Sequence, residues 1–248
     1  MRDPRSILIT GASSGIGEAL AKRYARANRH LALTGRNAQR LGQVAAACRA
    51  HGAEVVAHVI DVADRPAMAA LLSELDAKQP LDLIIANAGI GYGEVKLETL
   101  HDITEDVFGV NVHGVFHTIL PLLPAMRARG QGQIAIVSSV AGFRGLPSSV
   151  PYSASKMAVK GYGEALRGAV ARHGLEVSVI CPGFVESRMT EKIKTRPFLV
   201  DADKAARIIE RGLERNRGLI AFPWPMAAAT RLLTLMPAPL ADWVLRRR

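Results

Sequence analysis

The sequence predicts a single α/β domain: a doubly wound parallel sheet of about seven strands with helices on both faces, followed by a helical tail. Three observations predict it. Short runs rich in Val, Ile and Leu recur along the chain, the composition expected where both faces of a strand are covered. Helical patterns separate these runs, the alternation that produces parallel strands. The chain has 248 residues, 49% of them hydrophobic, enough for one large core. No linker, repeat or low-complexity segment marks a second domain.

The first strand is "SILIT" at 6–10; it leads through "GASSGIG" into a helical stretch that runs to about residue 28. "HLALT" at 30–34 is the second strand and 37–51 the second helix. "EVVAHVI" (54–60), "LDLIIA" (81–86), "GQIAIVS" (132–138) and "EVSVICP" (176–182) continue the series. "GLIAF" at 218–222 is a last short strand, placed at the sheet edge. Residues 223–248 form a tail of two short apolar segments, about 226–236 and 239–247, punctuated by Pro-x-Pro pairs and closed by "RRR". Such a tail packs on its own subunit, joins a homodimer or homotetramer, or touches a membrane surface beside the terminal arginines. A two-fold partner readily buries an apolar patch, which favours the dimer.

The net charge is +10, but its basic residues are scattered and aromatics make up only 5%, so no row of base-stacking platforms exists and nucleic acid is not an expected partner. Two cysteines, Cys48 and Cys181, cannot build a disulfide framework and fit a reducing compartment as small buried residues. "MRDPRSILIT" turns polar too soon for a signal peptide, and Pro223, Pro225, Arg231, Pro237, Pro239 and Asp242 interrupt the longest apolar region, 219–245. The expectation is a soluble, cytoplasmic protein.

Chemistry enters at "TGASSGIG", 10–17, between the first strand and the first helix. Helix N-terminal amides receive a pyrophosphate there. The spacing is G-x-x-x-G-x-G, with a tight turn expected at Gly11 and close backbone approach at Gly15 and Gly17. At the end of the second strand a carboxylate would grip the ribose hydroxyls of NAD; here Gly35 stands in that place and Arg36 follows. Losing the acid removes repulsion of a 2′-phosphate, and the guanidinium supplies charge-assisted hydrogen bonds to it, so NADP(H) is favoured over NAD(H). In "YSASK", Tyr152 and Lys156 are four residues apart and share one helix face. A neighbouring ammonium favours the phenolate and lowers a tyrosine pKa, which makes the pair an acid/base device.

These motifs resemble those of the short-chain dehydrogenase/reductase family, and the match covers nearly all of residues 5–222: "TGASSGIG", "DV" at 61–62, "NAG" at 87–89, "N" at 111, "SS" at 138–139, "YSASK" at 152–156 and "PG" at 182–183 stand in the family's order. The resemblance implies a Rossmann-type fold and an enzyme that moves a hydride between a nicotinamide cofactor and a carbonyl or secondary alcohol. It implies that Gly11, Ser13, Ser14, Gly15, Ile16 and Gly17 form the phosphate loop, that Asp61 and Val62 hold the adenine end, and that Asn87, Ala88 and Gly89 line the cofactor. Pro182, Gly183, Val185 and Ser187 are implied to line its nicotinamide end, Ser187 replacing the threonine usual in the family. The family's serine lies thirteen residues before the tyrosine, which selects Ser139 over Ser138. By the same resemblance Tyr152 exchanges the proton, Ser139 hydrogen-bonds the substrate oxygen, Lys156 binds the ribose, and Asn111 holds a water that joins Lys156 to solvent.

The tight Tyr–Lys spacing implies carbonyl rather than C=C reduction, and the glycine spacing sets aside the longer epimerase branch. No metal is expected: His113 and His117 have no Glu between them and no third ligand. Ser139 lacks the G-x-S-x-G elbow of a hydrolase. The substrate walls are expected from 89–93, 140–145 and the lid-like stretch 184–200, with Tyr92, Phe143, Phe184, Met189 and Phe198 giving an apolar cleft for a small or lipid-like molecule. Arg144 and Lys192 leave room for an anionic or acyl-carrier substrate, so a 3-oxoacyl-thioester reductase is the alternative. An idle NADP-binding regulator is the alternative of a different class; the intact Asn, Ser, Tyr and Lys set argues against it.

Overall fold

The structure is a computed structural model that describes residues 3–92, 95–191 and 193–246. Its elements follow the predicted alternation: β1 (Ser6–Ile9), α1 (Gly15–Tyr24), β2 (His30–Gly35), α2 (Ala38–Ala50), β3 (Glu54–Val59), α3 (Arg65–Lys78) and β4 (Leu83–Ala86). The second half adds α4 (Leu100–Phe108), α5 (Gly114–Ile119), α6 (Leu123–Arg129), β5 (Gly132–Val137), α7 (Val150–Val170), β6 (Leu175–Pro182), α8 (Arg188–Glu191), α9 (Ala202–Glu214) and β7 (Leu219–Phe222). The tail folds as α10 (Trp224–Leu235) and α11 (Ala238–Arg246).

All seven strands are parallel, in the order β3-β2-β1-β4-β5-β6-β7. The order reverses between β1 and β4, which opens a crevice beyond the carboxyl ends of these strands. One core lies between the sheet and α1, α2 and α9, with Leu20, Leu41, Ile209 and Leu213 buried in it. The other lies under α3, α5, α6 and α7, centred on Met68, Ile119, Met126 and Val159. Side-chain caps start three helices cleanly: Asn37, Asp64 and Asp201 each accept from the backbone N–H three residues on. Glu210 of α9 is buried and is gripped by Arg23 of α1 and by Arg26 just beyond its end, which ties the first and last core helices together.

Most boundaries shift by a residue or two from the sequence reading, and two of the larger shifts have a visible cause. The first helix ends at Tyr24, four residues short of 28, because Ala25 takes extended angles and Asn28 turns with φ 64° to feed β2. The fourth strand begins at Leu83 rather than 81, since Leu81 N–H is held by Asp76 Oδ1. Residues 97–129 are apolar and long enough to cross a membrane by composition; half of their most apolar window is buried in the fold, as in a core helix. Both cysteines are buried and unpaired.

Candidate active site

A cleft of about 500 Å³ lies at the carboxyl ends of β1, β2, β4, β5 and β6. Gly11 and Gly15 adopt φ of +66° and +57°, angles at which a side chain would strain the turn. A Cβ at Gly17 would stand 2.4 Å from Gly11 O, so the loop can close on the helix only with glycine there. The loop is also braced from β4: Asn87 Nδ2 donates to Thr10 O and Gly11 O at 2.9 and 3.2 Å, while Thr10 Oγ1 accepts from the N–H groups of Asn87 and Ala88. Thr10 sits in the motif as a brace that spacing alone does not reveal. The side chain of Ser187 reaches over the loop; a Cβ on Gly15 would meet its Cβ at 2.9 Å.

At the end of β2, Gly35 faces Ser13, whose hydroxyl would be 3.2 Å from an added Cβ. Arg36 is exposed and lies 3.5 Å from Asp61 Oδ2, so the two residues assigned to opposite sides of the adenosine end form an ion pair. Asp61 Oδ1 also accepts from Ala63 N–H.

The two serines have separate fates. Ser138 Oγ donates to Lys156 O at 2.7 Å and pins α7 to β5. Ser139 Oγ accepts from Ala141 N–H and donates to Pro182 O at 3.4 Å, and its hydroxyl is near enough to Tyr152 to oppose the rise of the phenol's pKa. Ser139 is thus the hydroxyl beside the tyrosine, in agreement with its spacing. Lys156 is 4% exposed, its Nζ donates to Val137 O at 2.9 Å, and it stands 5.7 Å from the Tyr152 ring centre.

The electrostatics depart from expectation. Burial pushes the Tyr152 phenol up, the nearby Ser139 hydroxyl opposes this, and Lys156 is not among the groups that move it. Burial pushes the Lys156 ammonium down to about 8. In the protein alone, desolvation therefore outweighs the attraction between the two residues, and the lysine does not by itself lower the phenol.

Asn111 lies in a π-helical turn, Gly109–His113, and is fully buried. Its Oδ1 accepts from Ile90 N–H at 2.8 Å, and its Nδ2 donates to Ile90 O and Ser155 Oγ at 3.0 and 3.1 Å. Both amide hydrogens are used, and the oxygen keeps one lone pair beside Gly89, across which Lys156 Nζ lies. Asn111 is thus next to Lys156 but behind the cleft wall. Of the predicted site residues, Asn111 and Gly17 do not line the cleft; Gly11, Ser13, Ser14, Gly15, Ile16, Arg36, Asp61, Val62, Asn87, Ala88, Gly89, Ser139, Tyr152, Lys156, Pro182, Gly183, Val185 and Ser187 do. Ile90 and Thr190, from the stretches 89–93 and 184–200 expected as substrate walls, line it too, as do Thr34, Asn37, Arg40, Ile60, Val110 and Val137, which no motif announced.

At the substrate end, Gly91 packs against Met189 Sδ and the Tyr152 ring, each 3.5 Å from where its Cβ would be. Phe143 has Lys160 and Arg231 over its ring, at 5.1 and 5.3 Å. Tyr92 donates to Asp106, and Phe198 is exposed. Arg144 is 3.8 Å from Asp242 of α11. Gly93 and Lys192, also named for these walls, lie outside the described residues. His117 Nδ1 is engaged by Val62 O and stacks near His113, and no cluster of three metal-binding side chains occurs among the described residues.

Residues 5–197 match the family model described as short chain dehydrogenase. An uncharacterized oxidoreductase of Myxococcus xanthus (strain DK1622) is 36% identical over 98% of this chain and 97% of its own length. Human 17-beta-hydroxysteroid dehydrogenase 13 is 30% identical, with 93% of this chain and 79% of the human protein aligned. The crystal structure of a short chain dehydrogenase/reductase from Burkholderia phymatum in complex with NAD superposes with a TM-score of 0.85 at 28% identity, over 93% of each chain. The chain belongs to the short-chain dehydrogenase/reductase family of oxidoreductases.

Proposed function

We propose that this chain is an NADP(H)-dependent oxidoreductase that interconverts a carbonyl and a secondary alcohol on a small or lipid-like hydrophobic substrate. The observation that carries it is the meeting of Tyr152, Ser139 and Lys156 in one cleft, at the end of a glycine loop folded tightly at the start of the first helix. A bound nicotinamide would supply or accept the hydride. Tyr152 gives its proton to the carbonyl oxygen in reduction and takes it back in oxidation. Ser139 donates to the same oxygen as negative charge develops there. Lys156, held by Val137 O, presents its remaining N–H donors to ribose hydroxyls. The closeness of Gly91 to Met189 and to the Tyr152 ring supports an apolar seat next to the proton donor.

The fit of a phosphorylated dinucleotide is supported by the absence of a carboxylate at Gly35 and by the guanidinium of Arg36. The expected result is a higher kcat/KM with NADPH than with NADH for the wild type, and a reversed or flattened preference for Gly35→Asp combined with Arg36→Ala. Steady-state kinetics on a panel of ketones measures it; a wild type that favours NADH overturns the NADP reading.

The protein is further proposed to be a cytoplasmic homodimer to which the tail contributes. The inner side of the tail packs on its own subunit: Ala227 and Ala241 are buried, and Met226 Sδ lies against Gly183. Its outer side leaves Trp224, Leu232 and Leu235 of α10 78%, 57% and 80% exposed, a stripe at helical spacing. Replacing Leu232 and Leu235 with glutamate spares the inner contacts and is expected to give monomers in light scattering. Dimers that persist, with unchanged liposome sedimentation, would leave the tail as self-packing only; loss of liposome binding instead would assign it to a membrane surface.

A further inference from the structure

Ser139 sits between two turns, and α10 of the tail touches both. Its Oγ caps the 3₁₀ turn Val140–Gly142 by accepting from Ala141 N–H, and Gly142 N–H closes the same turn on Ser139 O at 2.9 Å. On its other side the hydroxyl reaches Pro182 O. The inner face of the 3₁₀ turn is tightly packed: a Cβ on Gly142 would stand 2.7 Å from Lys156 O and 2.9 Å from Ser138 Oγ. Its far end is held from the tail. α10 lies against the turn, with exposed Arg231 5.3 Å from the centre of the Phe143 ring, and Asp242 of α11 is 3.8 Å from Arg144. At the start of α10, Met226 Sδ would be 2.5 Å from a Cβ on Gly183, next to Pro182. All these tail contacts come from residues beyond 5–197, the stretch that matches the family model. A hydroxyl that must meet a developing oxyanion loses its effect when displaced by even about 1 Å, so what fixes this turn also fixes the chemistry.

We propose that the tail positions Ser139: Arg231 and Asp242 hold the Phe143–Arg144 end of the turn, and through it set where the Ser139 hydroxyl stands relative to the substrate oxygen. Both are positioning residues, since neither lines the cleft. The proposal rests on the reading of Ser139 given above. A cation over a ring at an exposed site and a half-exposed ion pair are each modest contacts, so their joint loss shifts the turn's population by a few-fold to about tenfold and leaves the fold standing.

The test is a double-mutant cycle on the full chain. Arg231→Met with Asp242→Asn removes both charges, and kcat is measured on a panel of alkyl and aryl ketones with the preferred nicotinamide cofactor at saturation. The same pair is then made in a Ser139→Ala background. The expected fall is at least about threefold beside an intact Ser139 and less than about twofold without it, because a tether that acts through the hydroxyl then has nothing to position. Hydrogen exchange on the protein alone gives a second reading: the amides of Ala141, Gly142 and Phe143 are expected to exchange at least about threefold faster in the released variant, with those of β5 unchanged. Melting curves establish that the variants are folded, and if the paired variant is not, Arg231→Met alone carries the test. No turnover on any ketone, or a Ser139→Ala variant as active as wild type, overturns the proposed function and this inference together. An impaired Ser139→Ala variant in which the release costs a further twofold or more overturns the tail's role alone. So does a fall of less than threefold beside an intact Ser139, or exchange at 141–143 that is not faster.

Discussion

Replacing Tyr152 with phenylalanine is expected to lower kcat for carbonyl reduction by about 10²–10⁴-fold, the range set by loss of a positioned general acid. The ring itself is wanted by the fold: it fills the space under Gly91 and beside Met189, and phenylalanine preserves that packing. Only the hydroxyl is lost, together with its interaction with the Ser139 side chain. Burial holds the phenol above its ordinary value, so at neutral pH the protein alone presents it protonated, the form that a reductase needs. The same shift makes the reverse reaction harder, because oxidation must start from a phenolate. Alcohol oxidation is therefore expected to gain rate with rising pH, and ketone reduction to lose rate only at the alkaline end. NADPH affinity, read by nucleotide fluorescence, should stay within a few-fold of wild type. Turnover within tenfold of wild type in Tyr152→Phe would mean that another group delivers the proton.

Much of this arrangement was legible in the sequence, and most of the parts that were not share one physical cause. Strands with both faces covered write themselves as apolar runs, so each of the seven was found within a few residues. The glycines at 11, 15 and 17 were legible because turn and approach exclude side chains locally. The choice of Ser139 over Ser138 came from spacing; in the structure Ser138 Oγ donates to Lys156 O at 2.7 Å, and Ser139 Oγ to Pro182 O at the longer 3.4 Å. What escaped depends on partners distant in the chain. The π-helical turn at Gly109–His113 exists where Asn111 reaches Ile90, 21 residues away, and no local periodicity encodes that bond. Arg40 looks like any exposed-face residue of an amphipathic helix until the fold buries its Nε. The early end of α1 follows from the left-handed turn at Asn28, a geometry that asparagine tolerates but does not require. The inward and outward sides of the tail could not be told apart from composition, because both are apolar and only contact with Gly183 and Phe143 separates them.

The supposed partnership of Tyr152 and Lys156 leads to the second large effect: Lys156→Met is expected to destroy activity while making the protein more stable. The ammonium is almost wholly buried, and its pKa falls from 10.5 to about 8. The folded state therefore disfavours the charged lysine by about 3 kcal/mol relative to the unfolded chain, a penalty fully present below pH 8. As pH rises from about 8 towards 10.5, the folded protein has already released the proton that the unfolded chain still holds, and wild-type stability should climb. Methionine fills a similar volume without a charge, but it leaves Val137 O without its donor, a loss of about 1 kcal/mol. The net expectation at pH 7 is a gain of about 2 kcal/mol, seen as a melting temperature several degrees higher. The alkaline rise in stability should be absent from the variant. Activity should fall by about 10²-fold or more, since the ribose-facing donors are gone and the cofactor is no longer held against Tyr152. Denaturant titrations between pH 7 and 10 decide it. A variant less stable than wild type at pH 7, or one that still gains stability between pH 8 and 10, would show that the buried ammonium is a structural asset. Its place beside the tyrosine would then need no catalytic reason.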